Sequence, residues 1–146
     1  MAIAFCGEFQ VRKKREEVYD FLTSPKRFAP LLPDYQGLEM QDEKNFTIKV
    51  KVGVSHIRGT ASVKLSLVEA DRPRRAGYKG KGTLAGGSVD LTAGFDLAED
   101  AGWTRVQWKG EAHVFGPLIS VAGGLLEPLA KKNVQKLIDS LQVALT

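Results

Sequence analysis

The sequence has few of the residues that build disulfides and metal sites. Its 146 residues include one Cys and two His. A single Cys forms no internal disulfide, so we expect a reducing compartment. Zinc sites of the usual type draw on more Cys and His ligands than this chain contains. We therefore predict no metal site and no bound cofactor.

Long apolar runs are also lacking. The longest apolar-rich stretch covers residues 118–130 and is interrupted by Ser120, Glu127 and Pro128. A membrane-spanning helix needs about 20 predominantly apolar residues. Residues 1–11 show no basic segment followed by an apolar run, which a signal peptide would require. From these absences we expect a cytoplasmic protein.

The excess of charge of one sign is small. There are 21 Lys and Arg against 17 Asp and Glu, a formal net charge of +4. Such an excess permits contact with anionic surfaces without indicating nucleic acid by itself. Hydrophobic residues make up 43% and charged residues 26%, the balance of a globular protein. The length fits one domain over residues 1–146.

Apolar and polar residues alternate with a period of two over much of the sequence. Residues 3–11 alternate apolar and polar side chains and predict a first strand. Apolar residues at helical spacing over residues 15–22 predict a helix, and Ser24-Pro25 opens a second short helix. From residue 36 to residue 114 six further alternating runs are separated by turn residues. One polar and one apolar face are typical of an antiparallel sheet.

The last segment returns to helical spacing. Apolar residues recur from Leu118 to Leu145, and one helix of this extent would be about 40 Å long. Gly123-Gly124 and Pro128 predict a kink or break between residues 123 and 128. Only this helix is long enough to cover the apolar face of the sheet. The predicted fold is α+β of the helix-grip type, a curved antiparallel sheet of about seven strands around a long C-terminal helix, with two short helices after the first strand.

Several short motifs follow one another along nearly the whole chain. They are Phe5-x-Gly7-Glu8-Phe9-x-Val11, Glu17-Val18-Tyr19-Asp20-Phe21-Leu22, Ser24-Pro25, Leu32-Pro33, Gly37-Leu38-Glu39, Lys49-Val50-Lys51-Val52-Gly53, Arg58-Gly59-Thr60 and Gly80-x-Gly82. In this order and spacing they resemble the carbon monoxide dehydrogenase G-subunit family of the START-like helix-grip superfamily. The resemblance implies a non-enzymatic cavity protein that assists assembly or membrane recruitment of a molybdenum hydroxylase. It also implies a quinone- or lipid-like ligand.

The sequence departs from this family in three places. Asp34-Tyr35-Gln36 stands where members usually carry Gly-Cys, and Pro128 interrupts the last helix. The sequence ends at Thr146 without the flexible or hydrophobic tail of many members. This last departure counts against the expectation of direct anchoring in a membrane.

Small residues on the predicted inner face indicate a cavity. Protein interiors are close-packed, so facing small residues leave space unless the elements approach closely. Gly59, Ala61, Gly80, Gly82 and Gly110 have the inward parity. The cavity between sheet and last helix would be lined by Val63, Leu65, Tyr78, Gly80, Leu91, Ala93, Trp108, Gly110, Ala122, Leu125, Leu126 and Leu129. The alternative interpretation is that these glycines only bend a sheet that curls around a helix.

No catalytic constellation is visible. His56 lies in a predicted turn, and His113 and Cys6 have the outward parity of their strands. We interpret them as a solvated loop residue, a polar-face residue, and a buried or edge thiol rather than a nucleophile. Tyr19 and Tyr35 are hypothesised to place hydroxyls at the cavity mouth. Asp34 follows Pro33 in a predicted loop near that mouth, where we favour a turn-forming role over a ligand contact.

Two other functions stay open on the same fold. A polyketide cyclase- or hydratase-like enzyme would need an acid or base inside the cavity. The inward parity offers only Tyr78 and hydroxyls such as Thr104, whereas Asp96 and Glu111 point outward. A stand-alone lipid carrier would need no partner enzyme.

Basic residues form local groups along the chain. Lys49 with Lys51 and Lys79 with Lys81 have the parity of the polar face. They serve solubility and protect strand edges, or they dock an anionic membrane or an acidic partner. Most aromatic residues fall on the buried side of their strands, so no exposed aromatic surface is available for stacking of bases. We therefore predict no nucleic-acid partner. Trp103, at a predicted hairpin turn, is the exception and a candidate membrane or partner contact.

Overall fold

The fold is taken from a computed structural model that describes residues 1–54, 57–84 and 86–146, without the side chains at 54, 57, 84, 118 and 120–122. Within these residues it contains seven strands. The strands are β1 (Ala2–Val11), β2 (Tyr35–Met40), β3 (Asn45–Val54), β4 (Ile57–Asp71), β5 (Arg75–Leu84), β6 (Gly87–Asp100) and β7 (Trp103–Phe115). The helices are α1 (Arg15–Leu22), α2 (Pro25–Phe28) and α3 (Pro117–Ala144), with a 3-10 turn at Ala29–Leu31. This element order confirms the predicted fold class.

The strands form one antiparallel sheet in the order β1-β7-β6-β5-β4-β3-β2. Consecutive strands from β2 to β7 are neighbours in the sheet. Strand β1 pairs with β7 at the other edge, where Phe9 is opposite Val106. Because side chains alternate across a strand, register places whole rows of residues on one face. The sheet is curved, and α3 and the short helices cover its inner face.

The helix α3 is continuous over 28 residues and includes Pro128. Of the predicted kink or break between residues 123 and 128, the break is therefore wrong. Proline removes one backbone hydrogen bond, but helix formers flank it and later turns of α3 pack on the sheet through Leu137 and Leu141. Within the described residues, no helix combines the length and the apolar character that crossing a membrane requires.

Two apolar clusters occupy the inner side of the sheet. The first, here called the closed core, joins strand, α1 and α3 residues and contains Phe9, Val11, Val18, Tyr19, Leu22, Ala76, Phe95, Leu97, Val106, Leu141 and Leu145. The second, here called the β3 cluster, surrounds Ala29, Phe46 and Ile48. Phe28, Leu32, Tyr35, Leu65 and Tyr78 pack against it. Most of the buried apolar residues thus belong to one of these two clusters, while Ile3, Ala112 and Val114 are buried outside both.

Candidate functional site

The predicted cavity residues of the sheet lie together on its inner face. On neighbouring strands Leu65 pairs with Gly80, and Gly80 pairs with Leu91. The next row joins Tyr78, Ala93 and Gly110 in the same way. Val63, Leu65, Tyr78, Gly80, Leu91, Ala93, Trp108 and Gly110 all share this face. Period-two alternation was sufficient to predict it.

Part of this face is not closed by packing. Val63 and Leu91 are half-buried and Ala93 is exposed, although all three have the inward parity. None of them belongs to the closed core or to the β3 cluster. We call Val63, Leu91, Ala93 and Gly110 the open inner surface. An apolar inner surface that stays accessible is the kind of site that takes a hydrophobic ligand.

The first half of α3 supplies the helix residues of the predicted cavity. Leu126 and Leu129 are half-buried, and Leu125 is 54% exposed. Leu126 lies about three turns before Leu137 and so on the same side of the helix. Since Leu137 packs against the closed core, Leu126 also points toward the sheet. Ala122 lies within α3, but its side chain is outside the described residues.

The inward glycines divide into two groups. A Cβ on Gly80 would clash with the Lys64 carbonyl oxygen, and a Cβ on Gly82 would lie 2.8 Å from a Val89 methyl group. These two positions are glycine because neighbouring strands pack closely there. A Cβ on Gly110 would meet its nearest atom at 3.4 Å, an ordinary van der Waals distance. Space for a small side chain is therefore left at Gly110, whereas close packing excludes one at Gly80 and Gly82.

Tyr78 is a structural residue at the edge of the open inner surface. Its hydroxyl donates a hydrogen bond of 2.9 Å to the Leu22 carbonyl oxygen. Its ring lies 5.8 Å from that of Phe46 and 5.9 Å from that of Phe28, between centroids. Burial strongly raises the pKa of the Tyr78 phenol, with a smaller contribution from Tyr19. The phenol is thus held neutral and engaged with the backbone at physiological pH.

The other polar groups considered for catalysis are also engaged or face outward. The buried Thr104 hydroxyl donates to the Lys13 carbonyl oxygen at 2.7 Å. Asp96 pairs with Arg75 at 2.6 Å on the outer face. Glu111 pairs with the exposed His113 at 2.8 Å, which confirms the outward parity of both. The inner face therefore presents no free acid or base among these residues.

The residues expected at the cavity mouth have different surroundings. Tyr19 is only 5% exposed in the closed core, 6.1 Å from the Phe95 ring, so its hypothesised place at a mouth is wrong. Burial raises the pKa of its phenol. The spacing of apolar residues along α1 did not distinguish a buried Tyr19 from one at the rim of the cavity. Tyr35 is half-buried against the β3 cluster, and Asp34 is an exposed turn residue with φ of 58°.

Three single candidates from the sequence remain. Cys6 is an exposed free thiol, as its outward parity predicted. The prediction for His56 falls outside the described residues. Trp103 is 37% exposed, and the Arg12 guanidinium lies 4.8 Å from its ring centroid.

The outer face carries a depression that sequence reasoning missed. It has a volume of about 580 Å³ and lies over Gly77 and Gly94, which are directly opposite each other in the sheet. Arg75, Asp96 and Lys109 are among the residues at its edge. The sequence shows Gly77 and Gly94 on the outward side of their strands. Only the register of β5 with β6 shows that these two glycines lie side by side and leave a depression.

Comparison with solved structures identifies the fold. A conserved protein from Geobacillus kaustophilus aligns with a TM-score of 0.85 at 17% identity, covering 98% of this chain and 95% of that one. A START superfamily protein from Mycobacterium smegmatis gives 0.72 at 11% identity, covering 97% and 96%. The Zhui aromatase/cyclase from Streptomyces sp. R1128 gives 0.71 at 15% identity, covering 99% and 93%. These similarities show a START-like fold.

The sequence comparison assigns the family. No curated protein sequence matches the chain. The family described as the carbon monoxide dehydrogenase G subunit (CoxG) matches residues 7–146, which is almost the full length. The predicted resemblance is thereby confirmed, and the chain belongs to the carbon monoxide dehydrogenase CoxG family.

Proposed function

We propose that residues 1–146 form one domain that binds a hydrophobic, quinone- or lipid-like molecule between the sheet and the first half of α3. The observation that carries this proposal is the open inner surface. A close-packed interior would bury inward apolar residues such as Val63 and Leu91, yet both remain only half-buried. Leu125, Leu126 and Leu129 extend the same apolar surface along α3.

We further propose that the ligand-bound protein is an accessory factor for a molybdenum hydroxylase. Membership of a family named for a component of a dehydrogenase supports this role. Co-purification of such an enzyme with the protein from its native host is the expected result. Recovery of ligand-loaded protein without any hydroxylase would favour a stand-alone lipid carrier instead.

A non-catalytic role fits the polar groups of the inner face. Tyr78 and Thr104, the inward hydroxyls considered for an enzyme, donate to backbone carbonyl oxygens. Aromatase/cyclases are among the proteins with a similar fold, but the sequence identity between the Zhui protein and this chain is only 15%. Fold similarity at this level supports no transfer of activity.

We also propose a cytoplasmic protein that meets a membrane peripherally when it exchanges its ligand. Phe115, Ile119 and Leu125 are 49%, 36% and 54% exposed around the beginning of α3. Exposed apolar residues beside a ligand site are suited to contact with a lipid surface. Flotation with liposomes should therefore weaken in the double variant Phe115→Ser/Ile119→Ser, and unchanged flotation would contradict this part.

Quenching of Trp108 fluorescence tests ligand binding directly. The chain has two Trp, so the variant Trp103→Phe leaves Trp108, on the inner face, as the sole emitter. Titration with a short-chain ubiquinone should give saturable quenching. A fluorescent fatty acid serves as the second probe for a lipid-like ligand.

A matched pair of variants localises the binding. Ala93→Phe adds a ring on the open inner surface, whereas Thr92→Phe adds the same ring one residue away on the outer face. We expect Ala93→Phe to weaken binding about tenfold or more by filling the site, and Thr92→Phe to change it less than about twofold. Equal affinities in both variants would contradict the proposal.

A further inference from the structure

Six cations lie together on the outer face of three adjacent strands. They are exposed, they have the outward parity, and we call them the lysine face: Lys49, Lys51, Arg58, Lys64, Lys79 and Lys81. Their number exceeds the net charge of the whole chain, which is +4. The rest of the sequence is therefore slightly acidic, and the positive charge of the protein is concentrated on this surface.

The lysine face has few carboxylate partners. Among the described residues its one ion pair joins Lys81 to Asp90 at 3.9 Å, a long separation. In contrast, Arg72 lies 2.9 Å from Asp20, and Arg75 lies 2.6 Å from Asp96. Nearby carboxylates therefore neutralise Arg72 and Arg75 but leave the lysine face almost uncompensated.

The register increases the repulsion within this face. Lys64 on β4 is directly opposite Lys81 on β5. Like charges directly opposite each other in a sheet are destabilising. Hydroxyl side chains fill the positions between the cations, including Ser62 and Thr83, which also pair across the same two strands. Cations interleaved with hydroxyl donors match an anionic binding partner rather than a need of the fold.

The shape and composition of the face favour a protein partner. The outer side of a curved sheet is convex, so a flat bilayer would meet only a narrow strip of it. Among the described side chains of these strands, the exposed large apolar one is Val68, which lies at the bulge between Leu67 and Glu69 rather than among the cations. Without an apolar anchor among the described side chains, each Lys or Arg contributes only about 1 kcal/mol at an anionic membrane. An extended acidic segment can instead follow the convex surface.

We propose that the lysine face binds an acidic segment of a partner protein. This inference goes beyond the proposed function and does not depend on it, because the lysine face and the open inner surface lie on opposite sides of the sheet. Contact through the outer face would leave the ligand site free while the partner is bound.

Charge-matched triple variants test the proposal. The variant Lys49→Ser/Lys64→Ser/Lys79→Ser removes three charges from the lysine face. Lys26→Ser/Lys132→Ser/Lys136→Ser removes the same number from exposed positions on α2 and α3. Binding of a fluorescent polyglutamate peptide of about 15 residues is measured at about 50 mM salt. We expect the first variant to weaken binding about tenfold and the control less than about twofold.

Three outcomes would overturn the proposal. They are no binding of the peptide by the unmodified protein, equal weakening by both triple variants, and tighter lysine-face binding to phosphatidylserine vesicles than to the peptide. The last result would assign the face to a membrane. Thermal unfolding of each variant confirms that it is folded, and the lysine-face variant should be at least as stable as the unmodified protein because Lys64 no longer opposes Lys81.

Discussion

The two halves of α3 meet the same sheet in different ways. In the second half, Leu141 and Leu145 are 6% and 3% exposed within the closed core. In the first half, Leu125 is 54% exposed, and Leu126 and Leu129 are only half-buried. One helix therefore contributes stability at one end and an accessible apolar surface at the other. The protein separates the residues that hold the fold from those that are free to bind.

The largest expected effect compares one substitution at both ends of α3. Leu141→Ala should cost about 2–5 kcal/mol, because it leaves a cavity in the closed core. Leu125→Ala should cost less than about 1 kcal/mol, since the side chain is mostly exposed. Urea unfolding of the two variants measures the difference. Similar losses would show that both halves of the helix are equally packed.

A smaller effect compares two glycines on the inner face. A Cβ on Gly7 would lie 2.6 Å from the Trp108 ring, whereas Gly110 has room for one. Gly7→Ala should therefore cost about 1–3 kcal/mol through overpacking. Gly110→Ala should stay within about 0.5 kcal/mol of the unmodified protein. Free energies of unfolding in urea check both values, and a large loss at Gly110 would contradict the open inner surface.

The smallest effect concerns Tyr78, which lies between the two regions. Tyr78→Phe removes the hydrogen bond to Leu22 and should cost about 0.5–1.5 kcal/mol at neutral pH. Because burial raises the pKa of this phenol in the folded protein, its contribution is present below the unfolded pKa of 10.0 and is lost as pH rises above it. The variant should thus lose less stability than the unmodified protein above that pH. Parallel slopes in unfolding measurements at alkaline pH would count against this role of Tyr78.

Local patterns were sufficient for the strands and their faces. Alternation placed Leu91, Ala93 and Gly110 on the inner face, because successive side chains of a strand point to opposite sides whatever the partner strand. The continuity of α3 through Pro128 was not predictable in this way, since packing of later turns outweighs a local propensity. The six cations of the lysine face were visible in the sequence, but the opposition of Lys64 and Lys81 required the register.

The sequence did not predict how completely neighbouring atoms fill the space at each inward position. Gly80 and Gly110 look equivalent in the sequence pattern, yet a backbone carbonyl lies at the Cβ position of the first and not of the second. Tyr19 likewise is in the closed core rather than at a mouth because α1 packs against Phe95. These differences depend on how the strands and helices pack against one another, and a local sequence pattern carries no information about that packing.

Native mass spectrometry of the protein purified from its own host tests the central claim most directly. The unmodified protein and Thr92→Phe should each carry a co-purifying apolar molecule that is released on activation, and Ala93→Phe should carry little or none. A protein with no bound molecule, or one that Ala93→Phe retains as fully as Thr92→Phe does, would contradict binding at the open inner surface.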